Sequence, residues 1–354
     1  MTSEAKPKKR FHVKTTMILI LFGLGIYTAF LGPTYLRPIS PVVVLPPEET
    51  GLSVFGFPIT NTIAATLLTD LVLILIALSA YRFYRQREDV PQGLLNAFEV
   101  IVQFLWNTVQ NAAGKWAMRI MPIVATIFLL IFTANLIKLL PGFESIGRIK
   151  EIHHGTGYAP MPLLQIGDFT LWTIDKGKPV EVEDHNEESA AKGEPAKGDP
   201  AKGDGAPCHA CEVVPFLRGT ATDINFPFAL AVTTVFLTQV FGVWALGPRY
   251  FEKFFQFRQL VSGGPFGAIN FGVGLLEIIL EFAKILSFSF RLFGNIFAGT
   301  LLLSIVGALT AVAVPAGLYL FELFFGVIQA YVFFLLATIF LSGATVAHGH
   351  DEHH

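Results

Sequence analysis

Apolar residues fall in long blocks separated by polar, basic or proline-rich stretches. The blocks cover 17–32, 61–81, 122–140, 226–246, 266–309 and 312–341. A bilayer crossing takes about 20 apolar residues as a helix, and only helices or closed barrels satisfy their backbone groups in lipid. The pattern predicts an all-α polytopic membrane protein with about six membrane segments. Its last two blocks are too long for one perpendicular crossing, so they predict two long tilted helices. Residues 94–118 follow another rule. Leu94, Phe98, Ile101, Leu105, Val109 and Trp116 fall on one helical side, while Asn96, Glu99, Gln103, Asn107 and Gln110 fall on the other. That spacing predicts an interfacial amphipathic helix.

The segments between the blocks set the organisation. Residues 1–58 comprise a basic tail, a first membrane helix and a Pro-rich external segment read as irregular. The short block at 17–32 has the basic start and apolar core of a signal peptide. No small-residue cleavage pattern follows it, so an uncleaved helix is expected. Residues 59–140 hold two spans and the interfacial helix. Residues 141–225 form an external low-complexity insert, whose centre repeats Glu-Pro-Ala-Lys-Gly-Asp-Pro-Ala-Lys-Gly-Asp. Such a composition cannot bury a core. Residues 226–347 form a helical core, and 348–354 a His-rich tail read as solvated.

Composition agrees with the blocks. The 354 residues are 53% hydrophobic and 15% charged, with 34 Phe and a mean hydropathy of +0.57. Soluble domains average about 25% charged. Basic clusters at Arg82, Arg85 and Arg87, and at Arg249, Lys253 and Arg258, mark cytoplasmic ends. They place both termini in the cytoplasm and the 33–58 and 141–225 segments outside. Asp70 lies within the second block and is expected to face protein or water. Lys138, at the far end of the third, is expected to snorkel.

Cys208 and Cys211 are the chain's two cysteines. In an oxidising space a local disulfide is the favoured reading. A metal site with His209, His153 or His154 is the alternative, and no metal or cofactor is expected. No Gly-rich phosphate loop follows a strand, and neither catalysis within this chain nor a nucleic-acid partner is expected.

The chemistry concentrates on 277–300. Glu277, Glu281, Lys284, Arg291 and Asn295 fall within roughly 80° of one another at helical spacing, in an otherwise apolar run. A buried arginine keeps its charge and costs at least ~2.5–3.5 kcal/mol at bilayer depth. It therefore calls for a carboxylate or a water-filled cavity, and marks an ion pathway. Glu277 lies about 21 Å away along a helix, so the carboxylate is expected elsewhere, on another protein. A salt-bridge ladder that only joins helices is the competing reading. On the next block, Glu322 and Gln329 are seven residues apart and share a face. The expected topology puts Glu277 toward the cytoplasm and Glu322 toward the outside, with Arg291 between them. Such an arrangement makes two aqueous half-paths that the arginine keeps apart.

Ser287-Phe-Ser-Phe-Arg-Leu-Phe-Gly-Asn-Ile-Phe-Ala-Gly299 closely resembles the signature of subunit a of F-type ATP synthases. The similarity reaches Glu277 upstream and runs through Leu323-Phe-Phe-Gly-Val-Ile-Gln-Ala-Tyr-Val-Phe-Phe-Leu-Leu-Ala-Thr-Ile-Phe-Leu341. The resemblance implies a proton-translocating stator subunit of the membrane Fo sector, part of the H+-transporting two-sector ATPase. Arg291 would face the carboxylates of a rotating c-ring and block a direct leak. Gln329 and Asn295 would be its polar neighbours. Glu277 would serve the cytoplasmic half-channel and Glu322 the outer one. Some relatives carry Glu where this chain has Thr300. Implied partners are the c-ring subunits, the peripheral-stalk b subunits and the lipid bilayer, and the transported ion is H+, with Na+ left open. The setting would be a bacterial inner membrane. The first span and the long insert depart from the family pattern, and Lys138 stands in a region where an acidic residue sometimes occurs. A stand-alone secondary transporter is the alternative. It predicts an internal repeat of spans, and the sequence has none.

Overall fold

Among the described residues five long helices follow apolar blocks, and a sixth is formed by the amphipathic segment. A computed structural model describes residues 47–54, 56–85, 93–140, 143–144, 146–152, 155–166, 169–182, 208–254, 264–309 and 313–346, together with Gly23. Apart from Gly23 the expected first span lies outside these residues, as do the Glu-Pro-Ala-Lys repeat and the His-rich tail. The helices are α1 (Asn61–Arg85), α2 (Leu94–Ala113), α3 (Ala117–Lys138), α4 (Asn225–Leu246), α5 (Gly264–Leu309) and α6 (Ala313–Ala344). Four stretches among the described residues are long and apolar enough to cross a membrane: Asn61–Arg85, Leu95–Lys138, Asn225–Phe251 and Val314–Ala344. At 1.5 Å per residue α5 measures roughly 69 Å, far beyond a hydrocarbon core of about 30 Å. The chain is a helical, multi-span membrane protein.

The chain divides into two compact units. The larger comprises Val44–Arg148, Val214–Thr300 and Glu322–His354. Its core is a seam of buried side chains at helical spacing. Leu105 and Val109 come from α2, Ile120, Val124, Ile127 and Ile131 from α3, Ala231 and Phe241 from α4. Phe288, Leu292 and Ile296 come from α5, and Phe333, Phe334, Ala337 and Leu341 from α6. The predicted apolar side of α2 is the side that packs here, while Asn96, Glu99, Gln103, Asn107 and Gln110 stay exposed. The helix expected over 94–118 stops at Ala113. Gly114 takes φ +50°, a left-handed value that costs other residues roughly 1–2 kcal/mol, and the chain restarts as α3 within three residues. On α4, Gly242 admits the ring of Tyr250, since a Cβ there would stand 2.2 Å from it.

Strands appear where the sequence reading has none. Within the segment read as irregular, β1 (Glu49–Val54) and β2 (Phe57–Thr60) form an antiparallel hairpin. Its turn includes Gly56 at φ +83°. Within the insert, β3 (Gly147–Glu151), β4 (Gly155–Ile166), β5 (Phe169–Val182) and β6 (Cys211–Pro215) form a sheet of order β3-β6-β4-β5. The smaller unit comprises Met1–Val43, Ile149–Val213 and Leu301–Phe321, and β4 and β5 lie wholly inside it. They pair antiparallel from Gly155 opposite Val182 to Ile166 opposite Phe169. Cys208 and Cys211 are joined by a disulfide, Cα to Cα 5.8 Å, and Cys211 pairs with Tyr158 of β4. The insert is therefore low in complexity only at its centre. Its flanks carry β-branched and aromatic residues such as Thr170, Trp172 and Ile174, which suit a pleated surface.

Candidate ion-translocation site

The polar residues singled out in the sequence lie on α5, α6 and the end of α3. Helices α5 and α6 run antiparallel. The Phe288 and Phe333 rings meet at a tilt, 4.7 Å between centroids, Lys284 Nζ stands 4.9 Å from the Phe340 ring centre, and Gly299 faces Glu322. Arg291 and Gln329 fall between those contacts, at one level of the pair.

Arg291 points away from the seam. Leu292 beside it is fully buried, whereas Arg291 is exposed, as are Leu280, Phe282, Leu286 and Phe290. A long apolar surface thus carries one guanidinium. Its hydrogen bond is to Ser287 Oγ at 3.5 Å, and no carboxylate pairs with it among the described residues. Gln329 is buried, at 5% exposure, with its amide Nε2 lacking a hydrogen-bond partner among the described residues. No hydrogen bond joins it to Arg291 there. Asn295, one turn beyond Arg291, is half-buried.

On one side of this level an open cavity of about 300 Å³ is lined by Glu277, Lys284, Ser287, Phe288, Arg291 and Phe340, among others. Glu281 is buried and its Oε1 accepts a hydrogen bond from Lys284 Nζ at 2.8 Å. The stripe read from spacing is therefore an internal Glu281–Lys284 pair with Glu277 and Arg291 lining the cavity beside it.

On the other side lies a cluster the sequence does not foretell. Lys138 does not snorkel. Its side chain is 6% exposed and forms an ion pair with Glu322, and its Nζ donates to Thr300 Oγ1 at 2.7 Å. One turn earlier on α3, Asn135 Nδ2 donates to the Gly326 carbonyl on α6 at 3.1 Å. A signal existed for Lys138, the lone charge late in an apolar run, but its partners are 162 and 184 residues away. Around the start of α4, Asp223 accepts from Thr62 Oγ1 at 3.3 Å and from the Asn225 backbone N–H at 3.1 Å. Glu144 Oε1 accepts from the Gly219 N–H at 3.0 Å. Among the described residues, no group of three His, Cys, Asp or Glu is placed to hold a metal ion. His153 and His154 lie outside them.

Ionisable side chains held within membrane helices are the usual mark of an ion pathway. The family model for the ATP synthase A chain matches residues 63–342, and the chain belongs to that family. It is 24% identical over 294 residues to ATP synthase subunit a of Moorella thermoacetica, covering 83% of this chain and 93% of that protein. It is 26% identical over 300 residues to the sodium ion specific ATP synthase subunit a of Propionigenium modestum, covering 84% and 78%. Against ATP synthase subunit a of Mycobacterium tuberculosis it is 26% identical over 306 residues, covering 83% and 90%.

Proposed function

We propose that this chain is the ion-conducting stator subunit of a rotary F-type ATP synthase, with Arg291 as the separator of two half-channels. The observation that carries the reading is the exposed, carboxylate-free guanidinium on the apolar face of α5. An uncompensated charge at that depth is costly, so the face needs a partner that is apolar and bears a carboxylate. A ring of c subunits has that chemistry. Arg291 favours the ionised form of each passing ring carboxylate, and its fixed charge repels a cation that would run straight through.

The cavity from Glu277 to Arg291 then serves the cytoplasmic half-channel, and Glu322 the outer one. Gln329 supports the arginine level with an amide free to bond a partner group. An ion enters from outside, passes Glu322 to a ring carboxylate, travels with the ring and leaves past Glu277. The rotation drives ATP synthesis elsewhere in the complex, whose peripheral stalk holds this subunit still. Bacterial inner membrane is the setting this reading gives it, with both termini cytoplasmic. The ion is H+ in this reading, and a Na+-dependent pumping rate would assign it otherwise.

The test compares wild type with Arg291→Ala in vesicles holding the whole complex. Expected is loss of ATP-driven pumping with the complex assembled and the passive leak raised. Unchanged pumping would return Arg291 to a structural role and overturn the mechanism.

A further inference from the structure

Lys138 asks for an explanation that helix packing does not give. Its ammonium meets Glu322 of α6 and Thr300 of α5. The Thr300 hydroxyl gives its single hydrogen to the Ile296 carbonyl at 2.9 Å, so it faces Lys138 as an acceptor. Space is left for the long side chain. A Cβ at Gly219 would stand 2.9 Å from Lys138 Cδ, and one at Gly299 would stand 3.5 Å from Glu322 Oε1. Three helices thus converge on one buried charge pair.

A buried ion pair is a poor fastener. Desolvation offsets its attraction, and apolar residues of similar volume often hold as well or better. These helices are already fastened, by Asn135 to Gly326 one turn away and by the apolar seam. The pair also occupies a particular level. Thr300 lies nine residues beyond Arg291 on α5, and Glu322 seven before Gln329 on α6. At 1.5 Å per residue these are about 13 and 10 Å away, on the side opposite the Glu277 cavity.

We infer that Lys138 is a positioning residue of the outer ion path, holding the Glu322 carboxylate against Thr300 at the junction of α3, α5 and α6. The inference rests on the stator reading above. Lys138 neither gives nor takes a proton in this step. An arriving proton forms one O–H bond on Glu322, and the same bond breaks as the proton moves on to the ring carboxylate. The lysine balances the carboxylate's charge and fixes where the relay oxygen stands. Without it the carboxylate is left buried and unheld.

The experiment measures ATP-driven acidification and complex assembly in vesicles carrying the complete complex, for wild type, Lys138→Met, Lys138→Arg and the double variant Lys138→Met with Glu322→Gln. Lys138→Met keeps the stem and loses the charge, and is expected to slow pumping by up to the ~10²–10⁴-fold that a positioned proton-transfer group contributes. Lys138→Arg keeps the cation and is expected to pump faster than Lys138→Met. The double variant removes both charges and leaves no unpaired carboxylate, so it is expected to assemble even where Lys138→Met does not. It is expected to remain slow because the relay oxygen is gone. Wild-type pumping in Lys138→Met, or its return in the double variant, would overturn the inference. So would an assembled Lys138→Arg that pumps no better than Lys138→Met. Arg291→Ala in the same vesicles separates the two levels of argument. If Arg291→Ala pumps normally the stator reading fails, whereas normal pumping in Lys138→Met alone sinks only the role given to the lysine.

Discussion

At the scale of single residues, two amide neighbours of the charges make separable predictions. Gln329 is buried with an unpartnered Nε2, and an unmade buried hydrogen bond costs about 1–3 kcal/mol. Gln329→Leu should therefore leave thermal stability of the complex unchanged or raised, while ATP-driven pumping falls. A variant that loses both together would make Gln329 a packing residue. Asn135 donates its amide to Gly326, so Asn135→Ala should cost about 1 kcal/mol, read as a lower Tm with pumping retained. Arg291 was legible because it is a single permanent charge in an apolar run. Its outward direction was legible too, since neither glutamate upstream could reach it. Lys138 was misread. Its snorkelling follows from its place near a helix end, and nothing local in the sequence states that a carboxylate and a hydroxyl wait on two distant helices.

At the scale of elements, hydropathy located the helices to within a few residues because a bilayer leaves the backbone no other choice. It gave no such guidance outside the lipid. The β4–β5 hairpin holds three prolines (Pro160, Pro162 and Pro179), which argue against strand pairing, and a cross-strand register that tolerates them is a tertiary fact. The register shifts lie beside these positions, between Tyr158 and Ala159 and between Pro162 and Leu164. The Cys208–Cys211 bridge closes a very short loop, worth about 2 kcal/mol on chain-entropy grounds. Cys208→Ser with Cys211→Ser should make β6 easier to cleave with protease, leaving the helices as resistant as before. On α4, Gly242→Ala should lower stability by about 1–3 kcal/mol through overpacking against Tyr250, checked as the denaturation midpoint of the purified complex.

At the scale of the whole molecule, the division into a helical body and a smaller strand-bearing unit assigns the charges unequally. Arg291, Gln329, Glu277, Glu322, Thr300 and Lys138 all belong to the larger one. Excising residues 186–204, which hold the repeat and none of these groups, should leave pumping unchanged in the vesicle assay; a loss would give the insert a part in transport. The buried seam has one further consequence. Between the Glu277 cavity and the Lys138 cluster, Phe288, Leu292 and Ile296 belong to one buried apolar layer with Phe333 and Phe334. In electrical terms that layer is a dielectric break between two leads that end short of each other. The isolated subunit in a planar bilayer should carry no current at any voltage, and conductance should appear only when a rotor closes the circuit from outside the chain.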